Sequence, residues 1–81
     1  MKPIKIYNLT TGIHHAVCLD TDSASKAAAH MFKDAKPAER EAAMEQVEKW
    51  LKNHNDGWAQ TAINCGTIRL EITHQLRERT A

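Results

Sequence analysis

The spacing of apolar positions changes period along the chain. Residues 3–8 (PIKIYN) alternate, with Ile4 and Ile6 on one side and Lys5 and Tyr7 on the other. A period of two marks a half-buried strand, and Pro3 suits a strand's first position. Residues 8–12 read as a turn ending in Gly12. Residues 13–19 (IHHAVCL) alternate again: Ile13, His15, Val17 and Leu19 share one face, His14, Ala16 and Cys18 the other. Two strands with a short loop ending in glycine predict a hairpin. The face holding Ile4 and Ile6, and that holding Ile13, Val17 and Leu19, are expected to point inward.

A helical period follows. The DTDS run at 20–23 is rich in N-cap residues. Ala24, Ala27, Ala28, Met31, Phe32 and Ala35 then recur at the spacing of one helix face. Because that face is mostly alanine, the helix is expected to approach the sheet closely. Pro37 fits the first turn of a second helix. Its apolar stripe is Ala43, Met44, Val47, Trp50, Leu51 and His54, with Glu39 and Glu41 near the start and Lys49 and Lys52 near the end, as the helix dipole favours. Trp50 and Trp58 are large for so alanine-rich a core and are read as closing it.

Residues 58–65 fit two periods. As a helix they group Trp58, Ala59, Ala62 and Ile63, with Asp56 as N-cap and Gly66 ending the run. As a strand they set Gln60 between Trp58 and Ala62 on one side. The helix is the preferred reading. Residues 67–74 (TIRLEITH) are the clearest strand, with Ile68, Leu70 and Ile72 inward and Arg69, Glu71 and Thr73 outward.

The expected architecture is therefore α+β, a two-layer sandwich of order β-β-α-α-(α)-β. A three-stranded, mostly antiparallel sheet would carry the helices on one face. Residues 1–76 form the single domain and 77–81 a flexible tail.

Length and composition narrow the picture. The chain has 81 residues, with an apolar fraction of 42% that includes twelve alanines. A core of that kind is small, so a homodimer or a permanent partner would add needed stability. The charge is nearly balanced, 11 Lys+Arg against 10 Asp+Glu, which argues against a strongly basic nucleic-acid binder. Protonation of all five histidines would carry the net charge from +1 towards +6 below about pH 5.5. The start MKPIKIYNLT lacks the apolar run of a secretion signal, so the two cysteines read as reduced thiols and the location as cytoplasmic.

The segment GIHHAVCLD raises the question of chemistry. On a strand, His14 and His15 point to opposite faces and cannot share an ion. His14 and Cys18 share a face but stand roughly 13 Å apart along the strand, far beyond the span of two zinc bonds of ~2–2.3 Å each. No CxxC, HxxxH or phosphate-binding glycine motif is present. A Cys–His nucleophile would need a pocket and an oxyanion hole, for which a chain with three glycines offers little material. No catalytic residue, metal ligand or cofactor is therefore assigned.

The expected contact residues lie on the outward sheet face: Tyr7, His14, Arg69 and Glu71, with Trp58 as an anchor, since tryptophan is enriched in binding hot spots. An open face with one aromatic and some basic groups is also compatible with single-stranded nucleic acid. The short hairpin, alanine-rich helix, balanced charge and absence of a catalytic motif are similar in general style to small accessory proteins of phages and mobile elements. Some of those, anti-CRISPR proteins among them, inhibit host machinery. This likeness is architectural and carries no residues over. The expected function is binding to another protein or host complex, as inhibitor or adaptor, without enzymatic activity.

Overall fold

The computed structural model describes residues 3–53 and 57–78. The elements run β1 (Pro3–Thr11), β2 (His14–Cys18), α1 (Thr21–Met31), α2 (Pro37–Asn53), β3 (Ala59–Cys65) and β4 (Ile68–Glu78). The strands form one antiparallel sheet in the order β2-β1-β4-β3. The α+β class holds, but the sheet has four strands. Residues 58–65 are not a third helix, because Ala59–Cys65 pairs along its whole length with His74–Ile68 of β4. Gly66, read as the end of a helix, instead opens a hairpin turn.

Both hairpins close in two residues, Gly12-Ile13 and Gly66-Thr67. In each, the glycine has positive φ (55° and 62°) and the second residue does not. That is the glycine-first pattern of a type II′ turn, whose twist matches the flanking strands. β1 therefore continues through residues 8–11, where a turn was expected, and Ile13 stands 96% exposed at the hairpin tip. At the other end of the sheet, β4 includes Arg77 and Glu78, residues expected in the tail.

Both helices begin as their sequences dictate. The Asp20 side chain caps α1, accepting a hydrogen bond from the Ser23 backbone N–H at 2.6 Å. Pro37 opens α2. α1 lies against β1 and β2, and α2 against β3. The buried face of α1 is Ala24 and Ala28, and that of α2 is Ala43, Val47 and Leu51. Met44 and Trp50 pack against the core while staying partly exposed. His54, assigned to the same stripe, lies outside the described residues.

The core between the layers contains Tyr7, Leu9, Cys18, Phe32, Ile63, Cys65, Leu70 and Ile72 beneath these helical residues. Leu70 and Ile72 face inward as expected. β1 and β2 are turned the other way. Tyr7 and Leu9 are fully buried, whereas Ile4 and Ile6 are only partly so. On β2, Cys18 is buried and Ala16 packs against the core, while Val17 is 57% exposed. For β2 the reason lies above the sheet. Ala24 and Ala28 bring the backbone of α1 close, and small Ala16 and Cys18 fit under it where a row of branched chains would be overpacked.

Candidate functional site: the uncovered sheet face

Both helices pack on one side of the sheet, so the opposite side is uncovered. The strand register fixes what it displays. One row runs Val17, Asn8, Thr73 and Gln60 across β2, β1, β4 and β3, and the next runs His15, Thr10, Glu71 and Ala62. Ile6 faces Gln75 beyond the first row, and Arg69 faces Asn64 beyond the second. The face therefore has an apolar end around Ile4, Ile6 and Val17 and a polar end around His15, Arg69 and Glu71.

The polar end carries two side-chain contacts. The Thr10 hydroxyl and His15 Nδ1 are 3.0 Å apart across the β1–β2 pair. Arg69 Nε lies 3.6 Å from Glu71 Oε1, two residues along β4 on the same face. Both members of this pair are at least half exposed, so it contributes little to stability and leaves both charges accessible.

The expected contact residues separate in space. Arg69 and Glu71 stand on the uncovered face as expected. Trp58 is 64% exposed beside the first residue of β3, so its placement as a core-closing residue is corrected. Tyr7 is not on this face: it is fully buried, flanked by Cys18 on β2 and His74 on β4. His14 is exposed but falls on the helix side of β2. It lines an open groove between the hairpin tip and the end of α1, together with Ile13, His30, Lys33 and Asp34. His15, expected inward, is exposed on the uncovered face. Val17 and His15 are thus exposed and Ile6 half-buried on the uncovered face, where alternation alone turned all three inward. Their one signal was that both faces of β1 and β2 carry apolar side chains.

Cys18 and His74 both face the core, but the β1 strand lies between theirs. Two strand spacings separate them by roughly 9–10 Å, too far for a Cys–His hydrogen bond. Burial pushes the Cys18 thiol above its ordinary pKa, and the negative charge of Asp20 pushes it further. Burial likewise raises Cys65, with Glu39 adding to the effect and Arg40 opposing it. Raised values keep both as thiols at neutral pH. Among the described residues, no group of three or more His, Cys, Asp or Glu side chains is arranged to hold a metal ion. Among them also, no helix is long and apolar enough to cross a membrane.

Comparison of the chain with known protein families, curated proteins and solved structures finds no match.

Proposed function

We infer that the protein is a small non-enzymatic binding module that engages another protein through the uncovered face of its sheet. A role as an accessory inhibitor or adaptor of a host complex, of the phage or mobile-element kind, fits that reading. The observation that carries it is the division of the face. Ile4, Ile6 and Val17 give an apolar area that water covers at a cost, and the exposed Arg69–Glu71 pair beside it supplies charges of both signs. Protein interfaces commonly combine an apolar area with polar and charged groups beside it.

Nucleic acid fits the same face less well. The aromatic expected to stack on bases, Tyr7, is buried. Among the described side chains on the face, Arg69 is the one permanently charged cation, and Glu71 sits beside it. Phosphate would meet that carboxylate.

The test is capture of the tagged protein's partners from a lysate, with and without nuclease, alongside a Val17→Asp variant. The reading expects a protein recovered equally from both halves and lost with the variant. Recovery of nucleic acid, or of a protein only through nucleic acid, would transfer the face to the nucleic-acid reading.

A further inference from the structure

β3 is an edge strand, the last in the order β2-β1-β4-β3. Every second residue along it turns its backbone N–H and C=O away from β4. Proteins usually guard such an edge with charges, proline, bulges or short length. Residues 59–65 (AQTAINC) carry no charge and no proline, and they pair with β4 in unbroken register over seven residues. The other edge, β2, has five residues. The β3 edge also borders an open groove, between Lys49 and Trp50 of α2 and Thr61, Ala62 and Ile63 of the strand.

The sequence of β3 says which strand suits it. Laid antiparallel on a second β3 about a two-fold axis at Ala62, Gln60 meets Asn64 of the other copy, Thr61 meets Ile63, and Ala59 meets Cys65. Amide faces amide, branched chain faces branched chain, and small residue faces small residue. A two-fold interface requires that each patch be its own complement, and an uncharged strand meets no like charge in doing so. The same register carries Trp58 onto the Gly66-Thr67 turn of the second copy, where its exposed ring would gain cover.

We propose that two copies of this chain join edge to edge through β3, in antiparallel register about Ala62, to make one eight-stranded sheet. The occupant of this edge is a second copy, so the proposal is independent of which partner the uncovered face takes. The two copies then present their uncovered faces side by side.

The test is mass in solution by sedimentation velocity over a concentration series reaching the millimolar range, with circular dichroism to confirm folding. Three forms of the full chain are compared. Wild type is expected to dimerise. Q60K/N64K places lysine opposite lysine at both ends of the pairing and is expected to be monomeric. Q60K/N64E places lysine opposite glutamate at both ends and is expected to dimerise again. All three changes fall on exposed positions. A monomeric wild type, a dimeric Q60K/N64K, or a folded Q60K/N64E that stays monomeric would each overturn the proposal.

Discussion

Tyr7 of β1 and His74 of β4 sit directly opposite each other in the sheet, fully buried, with ring centroids 4.9 Å apart and planes tilted by 36°. The distance and tilt are within the range in which aromatic pairs attract beyond simple burial. The contact explains why β1 turns Tyr7 rather than Ile6 to the helices. A tyrosine ring at mid-strand fills the layer between His74 and Cys18, as the shorter Ile6 would not.

Tyr7 nevertheless buries a hydroxyl that makes no hydrogen bond among the described groups. Such a group costs about 1–3 kcal/mol. Tyr7→Phe keeps the ring and removes the hydroxyl, so it is expected to leave stability unchanged or raise it by about 1 kcal/mol. Burial, and secondarily Asp20, also raise the pKa of the phenol above its ordinary value. The unfolded chain releases this proton first, so the contribution is full below about pH 10 and is lost as pH rises from there through the higher folded value. Urea melts at neutral and alkaline pH check both points: the phenylalanine variant should show the flatter alkaline limb. A clear loss of stability at neutral pH would mean that the hydroxyl is satisfied.

Asp20 gives the opposite pH signature. The Ser23 backbone N–H holds its carboxyl below the ordinary value, with the Ser23 side chain and then Lys26 assisting against a smaller desolvation effect. A depressed folded value means that the stabilisation is complete above the ordinary carboxylate range and is lost as pH falls through the folded value. Asp20→Asn retains a capping side chain without the charge. Its thermal midpoint should fall less steeply than that of wild type between about pH 5 and pH 2. Parallel acid limbs for the two proteins would assign the acid sensitivity to other carboxylates.

Gly66 separates backbone strain from crowding. Its φ is 62°, and a Cβ built there would come within 2.5 Å of Glu39 Oε2. The carboxylate is the end of an exposed, flexible side chain and moves aside easily. The left-handed backbone cannot be relieved in that way. Gly66→Ala should cost about 1–2 kcal/mol. Adding Glu39→Ala should recover little of it in a double-mutant cycle, and full recovery would place the cost in the contact instead.

The sequence reads clearly where one period has no rival. α2 shows proline at its start and a single apolar stripe, and β4 alternates isoleucine and leucine with charged residues. Their burial follows the pattern. β1 and β2 are different because both faces of each carry apolar side chains. Alternation then identifies the strand but not its direction, and packing makes the choice, through the Tyr7–His74 contact for β1 and the alanine face of α1 for β2. β3 is hard for a related reason. Ala59, Ala62 and Ile63 satisfy a helical stripe as well as a strand, and only pairing with β4 decides. The candidate site inherits this division. Arg69 and Glu71 were legible because β4 was. Val17, Ile6 and His15 were not, because their strands were turned over, and Tyr7 was lost to the core for the same reason.

Arg69 is the residue on which the binding reading turns most directly. Its side chain is 64% exposed, and its link to Glu71 is long and solvated. Such pairs contribute about 0–1 kcal/mol, so Arg69→Glu should lower stability by no more than about 1 kcal/mol, even with the new repulsion from Glu71. Its effect on binding should be larger. A partner fitted to the face must present an acidic or accepting group to Arg69, and reversing the charge sets like against like across the contact, which costs several-fold or more in affinity. Titration calorimetry with the captured partner, at two salt concentrations, checks this. The expected result is weaker binding by Arg69→Glu with an unchanged melting temperature, and a difference from wild type that narrows at high salt. Equal affinity for the two proteins would remove the polar end of the face from the interface and leave the apolar end around Val17 and Ile6 as the remaining candidate.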